Sequence, residues 1–189
     1  MSVELRSARL LIRPIVTADI PAFVAYRRDP EIARHQSWST EYSATDAQAL
    51  VDGQPRTPVP STGEWVQLGL HARDAAVGSS ALMGDVAVGA DPHQPDTYEL
   101  GVTLAPAHHG QGYAREALDA VIDWLMERQG AHRIVMQGDA RNAPVLALMR
   151  RLGLRHEGAI VEGDWFKGAW STLERFALLD REWRESRER

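Results

Sequence analysis

The ten residues His108-His109-Gly110-Gln111-Gly112-Tyr113-Ala114-Arg115-Glu116-Ala117 (HHGQGYAREA) decide how the chain is read. Two glycines two positions apart let the backbone turn tightly and approach a ligand closely. The stretch after them has helical periodicity, with Leu118, Val121, Ile122 and Leu125 at i, i+3, i+4 and i+7. A helix is therefore expected from about Gly112 to Arg128, stopped by Gly130. Before the glycines, Thr97–Leu104 (TYELGVTL) alternates, with Tyr98, Leu100, Val102 and Leu104 on one face and Glu99, Gly101 and Thr103 on the other. That pattern reads as a strand. A strand, a glycine loop and a helix start present free N–H groups and the positive end of the helix dipole to a phosphate or pyrophosphate.

Three phosphate loops compete for this segment. A P-loop ends in Gly-Lys-Ser/Thr, which is absent. A dinucleotide fingerprint wants a small residue where Arg115 stands, and an early strand with an acidic residue about 20 positions further on. The third pattern, Gln/Arg-x-x-Gly-x-Gly/Ala, fits His109-Gly110-Gln111-Gly112-Tyr113-Ala114 everywhere but the first position, where His109 replaces Gln or Arg. Taken alone, a Gly-x-Gly before a helix is as readily a simple tight turn.

Working outward, Arg9–Ile15 reads as a strand, and Thr17 caps a helix through Phe23, Val24 and Tyr26. Ser43 caps a second, to Val51, with Asp46 three positions on. Gly53–Gly63 is a proline-rich loop. Trp65–Ala72 and Ala81–Val88 read as strands joined by a turn at Arg73-Asp74-Ala75-Ala76. His132–Gln137 is a strand, and Asn142 caps a helix closed by Gly153, with Pro144 in its first turn. Strands near Leu154–Val161 and Thr172–Leu179 follow, then a mixed-charge tail, Arg181–Arg189, expected as a frayed surface helix. The order β-α-α-β-β-β-α-β-α-β-β predicts a mixed, mostly antiparallel α/β sheet of six to seven strands with helices on both faces. One domain is expected over residues 1–189, with its core at about 8–183.

Composition narrows the function. Among 189 residues, 44% are apolar, enough for a core without staples. No cysteine is present, which removes zinc-thiolate sites, disulfides and thiol nucleophiles and suits a reducing cytoplasm. No apolar run approaches the roughly 20 residues of a membrane helix, and no signal peptide is read at the start. The net charge of −5, from 21 basic and 26 acidic side chains, disfavours nucleic acid as a partner. Lys167, the only lysine, makes Schiff-base chemistry an improbable reading. The histidines have no metal-ligand spacing, so no metal is expected. Trp38 after the first helix and Trp165 to Trp170 in the last loop are candidates to line a pocket, with core packing as the commoner role of these and of Trp65.

Around the glycine loop the chain resembles the RimJ/RimL-type branch of the GNAT superfamily of N-acetyltransferases, from about Ala8 to Trp183. The resemblance is carried by Leu10-Leu11-Ile12-Arg13-Pro14, Asp29-Pro30-Glu31-Ile32-Ala33, Gly84-Asp85-Val86 and Glu99-Leu100-Gly101. Leu104-Ala105-Pro106, Arg141-Asn142, Arg151-Leu152-Gly153-Leu154 and Leu178-Leu179-Asp180-Arg181-Glu182-Trp183 continue it. It implies acetyl-CoA as donor and an amine acceptor, either a small molecule or a protein N-terminus, with transfer by direct attack in a ternary complex. The sheet is expected to part between strands 97–104 and 132–137. The pantetheine arm would pair with Val102, Thr103 and Leu104, and the pyrophosphate would sit on Gly110, Gln111, Gly112, Tyr113 and Ala114 beside His109. Asn142 would touch pantetheine or the adenine end. Arg115 and Arg151 would either meet the ribose 3′-phosphate or lie solvated. An amide N–H near Val102 or Thr103 would hold the oxyanion.

Glu99 is the first expected base and Asp85 the second. The leaving thiolate has no evident acid: relatives place a serine where Val145 stands, and Tyr113 either serves or merely packs. A non-catalytic acyl-CoA sensor is the alternative that Val145 favours and Glu99 opposes. A dinucleotide-binding protein is a third reading. Both a monomer and a homodimer are compatible with the sequence.

Overall fold

The computed structural model describes residues 3–55, 57, 59–74 and 82–188. Eight strands form one sheet in the order β1-β2-β3-β4-β5-β6-β8-β7. They are β1 (Leu5–Arg6), β2 (Leu10–Pro14), β3 (Trp65–Ala72), β4 (Leu82–Ala90), β5 (Thr97–Leu104), β6 (Arg133–Asp139), β7 (Arg155–Phe166) and β8 (Ala169–Leu179). Every neighbouring pair is antiparallel except β5 and β6. The helices are α1 (Ile20–Arg27), α2 (Pro30–Ala33), α3 (Ala44–Asp52), α4 (Tyr113–Arg128), α5 (Ala143–Arg151) and α6 (Asp180–Arg187).

The mixed, mostly antiparallel class holds, with one strand more than six to seven. The extra strand, β1, is two residues long and folds back on β2 where Leu10 N–H bonds both Ser7 Oγ and, reciprocally, Ser7 N–H reaches Leu10 O, each at 3.0 Å. Such a local turn leaves no periodic trace. The expected 73–76 turn and the start of the strand at Ala81 lie partly outside the described residues; β4 runs from Leu82 to Ala90.

The larger core lies between one face of the sheet and α4 with α5. Leu118, Val121, Ile122 and Leu125 are buried against Leu68, Val86, Leu100 and Ile134. Each such side chain contributes roughly 1.5–3 kcal/mol by burial, so the apolar stripe fixes α4 far more firmly than its loops do. On the other face, α1 and α3 bury Ile20, Phe23, Tyr26 and Ala47 with Ile15 and Leu82. Ser43 caps α3 in a capping box with Asp46, as its spacing predicts.

Two expectations change at the C-terminal end. Residues 165–170 are not a loop: β7 and β8 extend to a two-residue turn at Lys167-Gly168, and Trp165 stacks edge-on against Trp170 at 5.2 Å. Lys167 Nζ donates from this tip to Ala33 O and, at 2.8 Å, to Trp38 O, tying the hairpin to the chain after α2. The tail is an ordered helix rather than a frayed one, because Trp183 is buried and its Nε1 donates to Asp123 on α4 at 2.9 Å.

Candidate active site

β5 and β6 pair only through Thr97–Arg133, Tyr98–Ile134 and Glu99–Val135, although both strands continue. Beyond Glu99 they part, and β6 stays with β8 as far as Asp139–Leu173. The alternation of an antiparallel ladder shows which amides face the opening. Ala105 N–H bonds Met83 O and Asp91 N–H bonds Thr97 O, both at 2.9 Å, so the odd-numbered residues of β5 exchange bonds with β4. The N–H groups of Leu100, Val102 and Leu104 therefore point toward β6, and those of Val102 and Leu104 meet no strand. Thr103 turns its own N–H to β4, opposite Asp85. Of the two amides expected for an oxyanion, Val102 is the one aimed into the opening.

This parting of strands opens a cavity of about 900 Å³ lined by Val102, Leu104, Gly110, Tyr113, Asn142 and Leu148. The glycine loop closes one end. Gly110 and Gly112 have φ of 72° and 82°, the left-handed region where a side chain is strained. His108 and His109 N–H groups are taken by Ala105 O and Pro106 O, and Glu116 N–H by Gly112 O. Among the described residues, the N–H groups of Gly110, Gln111, Gly112, Tyr113 and Ala114 have no backbone acceptor. Five free donors at the N-terminus of a sixteen-residue helix make an anion cradle with no lysine in it.

His109 does not extend toward this cradle. Its Nε2 donates to Leu104 O at 2.9 Å, which binds the loop to the end of β5. Gln111 Nε2 turns back to Ala107 O at 2.9 Å, so its backbone rather than its side chain faces the cradle. Arg115 lies over Asp119 at 3.5 Å and is largely exposed at the cavity rim, as is Arg151. Asn142 caps α5, its side-chain oxygen accepting from Val145 N–H at 3.4 Å while the residue lines the cavity. Tyr113 is packed between the Arg9 guanidinium, 4.2 Å from its ring centroid, and the edge of His108.

A fastening of the loop escaped the sequence reading. Glu116 in the first turn of α4 accepts from Ser7 Oγ at 2.7 Å, Arg9 N–H at 2.7 Å and Arg9 Nε at 2.6 Å. Arg9 NH1 then donates to Gln111 O at 3.1 Å. These contacts hold the Glu116 carboxyl below its ordinary range, against a smaller-than-usual hydration that alone would raise it. The only hint in the sequence is that Arg9 directly precedes the Leu10–Pro14 motif and Glu116 lies within the glycine-loop stretch.

The two expected carboxylates have different surroundings. Asp85 on β4 is buried: Tyr26 Oη and Gln67 Nε2 donate to its two oxygens, and Arg27 NH2 lies 3.6 Å away. Burial raises its pKa, while Arg27, Tyr26 and Gln67 pull the other way. Arg27 is enclosed by Phe23, Trp38 and Tyr42, with its guanidinium 4.0, 3.8 and 4.9 Å from their ring centroids. Trp38 thus packs against Arg27 rather than lining an open pocket. Both Asp85 oxygens are engaged inside the protein, and the buried carboxylate holds α1 to the sheet.

Glu99 is half-buried on the same face, and Gln137 Nε2 donates to its Oε1 at 3.4 Å. Burial raises its pKa; Gln137 and Arg175 counter that and Asp91 adds to it. A carboxylate at the point where the strands part, easier to protonate than usual, is suited to take a proton from an ammonium near neutral pH. Val145 offers no donor for a leaving thiolate; the Tyr113 ring is packed, while its hydroxyl has no hydrogen-bond partner among the described residues.

The sequence profile of the acetyltransferase (GNAT) domain family matches residues 9–155. Among known proteins, the chain is 24% identical over 184 residues to "Uncharacterized N-acetyltransferase YnaD" of Bacillus subtilis (strain 168), covering 96% of this chain and 99% of that one. It is 26% identical over 81 residues to a spermidine N(1)-acetyltransferase of Vibrio cholerae, covering 43% of this chain and 47% of that one. Among solved structures, a GNAT acetyltransferase from Bacillus anthracis superposes with a TM-score of 0.81 at 22% identity, over 95% of this chain and 100% of that one. Spermidine N-acetyltransferase from Vibrio cholerae, solved with CoA and spermine, gives 0.77 at 17% identity, over 92% and 97% of the two chains. With a family profile spanning most of its length and the fold to match, the chain belongs to the GNAT acetyltransferase family.

Proposed function

We propose that this protein transfers the acetyl group of acetyl-CoA to a primary amine by direct attack in a ternary complex. The observation that carries the reading is the pairing of an inner sheet edge, at Val102 and Leu104, with five unbonded amides at the start of α4. The pantetheine arm takes the place of the missing strand by hydrogen-bonding Val102 and Leu104, with Thr103 between them as backbone only. The pyrophosphate rests on the amides of Gly110 to Ala114. Asn142 on the facing wall meets the pantetheine, and Arg115 and Arg151 flank the ribose phosphate at the rim.

Glu99 takes the proton of the acceptor ammonium. The freed nitrogen attacks the thioester carbon, and the oxyanion is met by Val102 N–H. Collapse breaks the C–S bond, and the second proton of the attacking nitrogen passes to the departing sulfur, so a neutral amide and CoA thiol are released. Asp85 keeps the acceptor-side helix in place and takes no part in proton transfer. The RimJ/RimL-type branch suggests a protein N-terminus as acceptor, while the Vibrio cholerae relative is named for spermidine; a primary amine is what the two have in common. A CoA-binding sensor finds no support among the matched proteins. A cysteine-free chain suits work in the reducing cytoplasm.

The test is release of free thiol from acetyl-CoA with a panel of primary amines. Amine-dependent release is expected. Saturable CoA binding without release from any amine would overturn the reading.

A further inference from the structure

On one face of the sheet, Gln137 on β6, Arg175 on β8 and Gly158 on β7 lie in register, and Glu99 on β5 sits one step along the same face, within reach of Gln137. Glu99 pairs in register with Val135, two residues from Gln137 on the same face, and its side chain reaches Gln137 directly. Arg175 lies directly opposite Gln137. On its other side the partner is Gly158, whose missing side chain would have met nothing within 4 Å. The residue of β7 directly opposite Arg175 therefore has no side chain to lay over it.

Arg175 is half-buried, yet among the described residues no carboxylate comes within 4.0 Å of it and no acceptor takes its N–H groups. Other arginines near this end of the sheet are paired: Arg133 with Glu157, Arg155 with Glu157 and Glu182, and Arg141 with Asp139. Glu99 and Asp91 feel the charge of Arg175 from a distance without binding it. A guanidinium offers five donors in a planar fork that matches a carboxylate, and a half-buried one left without an acceptor favours a ligand that brings one.

Resting on the acetyl-transfer reading, we propose that Arg175, assisted by Gln137, binds a carboxylate on the acceptor, so that the substrate is a small amino acid-type molecule carrying an amine and a carboxylate. At Glu99, the last residue of β5 paired with β6, the backbones of β5 and β8 are two strand spacings apart, roughly 10 Å, and Arg175 lies two residues further along β8. Gln137 stands between Glu99 and Arg175 on the same face and already donates to Glu99. The remaining span fits an amine at Glu99 and a carboxylate at Arg175 joined by a few bonds. A polyamine would instead bring a second cation up to Arg175.

The experiment compares thiol release for amines with and without the carboxylate: phenylalanine against phenethylamine, leucine against isoamylamine, and spermidine as a polycation. The intact protein is expected to favour the carboxylate-bearing partner by about 10- to 100-fold in kcat/KM, the scale of a charge-assisted pair. R175A should remove that preference, mainly through KM, and R175K should restore part of it. Because Arg175 is half-buried, thermal stability and CoA affinity of R175A and R175Q are measured alongside. A loss of preference while both stay normal supports the proposal. Equal turnover of the paired amines by the intact protein, a preference for spermidine, or an unchanged preference in R175A would each overturn it while leaving acetyl transfer standing. Absence of release from every amine would remove the acetyl-transfer reading, and this inference with it.

Discussion

Replacing Glu116 by Ala tests whether the phosphate cradle is held from outside the loop. The carboxylate accepts from Ser7 Oγ, Arg9 N–H and Arg9 Nε at 2.7, 2.7 and 2.6 Å. The Arg9 side chain is 46% exposed, so its ion pair contributes no more than about 1 kcal/mol. The hydroxyl and the backbone amide lose a charged acceptor in a half-buried place, about 1 kcal/mol each. A total of roughly 2–3 kcal/mol follows, which for a domain of this size lowers Tm by about 4–12 °C. Arg9 loses its anchor as well, and with it the grip of NH1 on Gln111 O. Part of the ordering of residues 110–112 then falls on the ligand, and CoA is expected to bind about tenfold more weakly, equivalent to 1.4 kcal/mol. E116Q keeps an acceptor oxygen for Ser7 and the Arg9 amide and should fall between the two. Thermal melts and calorimetric CoA titrations read both quantities. An unchanged Tm for E116A together with CoA affinity within about twofold of the parent would refute the idea that the N-terminal strand pair fastens the loop.

Gly112→Glu is expected to abolish CoA binding, because a side chain at φ of 82° strains the turn and brings negative charge to the cradle; near-native affinity in a titration would contradict the loop assignment. For Glu99, burial lifts the carboxyl above its ordinary 4.5, so the base is lost as pH falls through that raised value and kcat/KM falls with it. E99Q should lack this acid limb and turn over more slowly at neutral pH with CoA affinity kept, which a pH–rate profile checks. Asp85→Ala leaves buried Arg27 without its carboxylate, at about 3–5 kcal/mol, and should lower Tm by about 6–20 °C in a thermal melt.

What was legible in the sequence was local. Gly112 before a 3.6-residue stripe announced α4 because its cap and its core face lie within a few turns of each other. Ser43 and Asp46 announced α3 for the same reason. The alternation of β5 put Glu99 and Gly101 on one face, and the site follows from that parity. Contacts across the chain left no such trace. Arg9 and Glu116 are 107 residues apart, and neither motif says that they touch. Asp85 resembled Glu99 as an acid on a neighbouring strand until Tyr26, Gln67 and Arg27 were seen to enclose it. Arg175 reads as one more charge on an alternating strand; only the register against Gln137 and Gly158 makes it distinctive. Trp165 and Trp170 suggested a loop because aromatic residues around a Lys-Gly pair do not reveal how far the paired strands continue.

The Lys167 contact has a chemical consequence for a protein proposed to handle an activated thioester. Its only side-chain amine sits on the acceptor half of the molecule with its hydrogens directed at the carbonyl oxygens of Ala33 and Trp38. These two bonds fix the position of the nitrogen at the hairpin tip. Were that amine ever blocked, the segment following α2 would lose its mooring at the same moment.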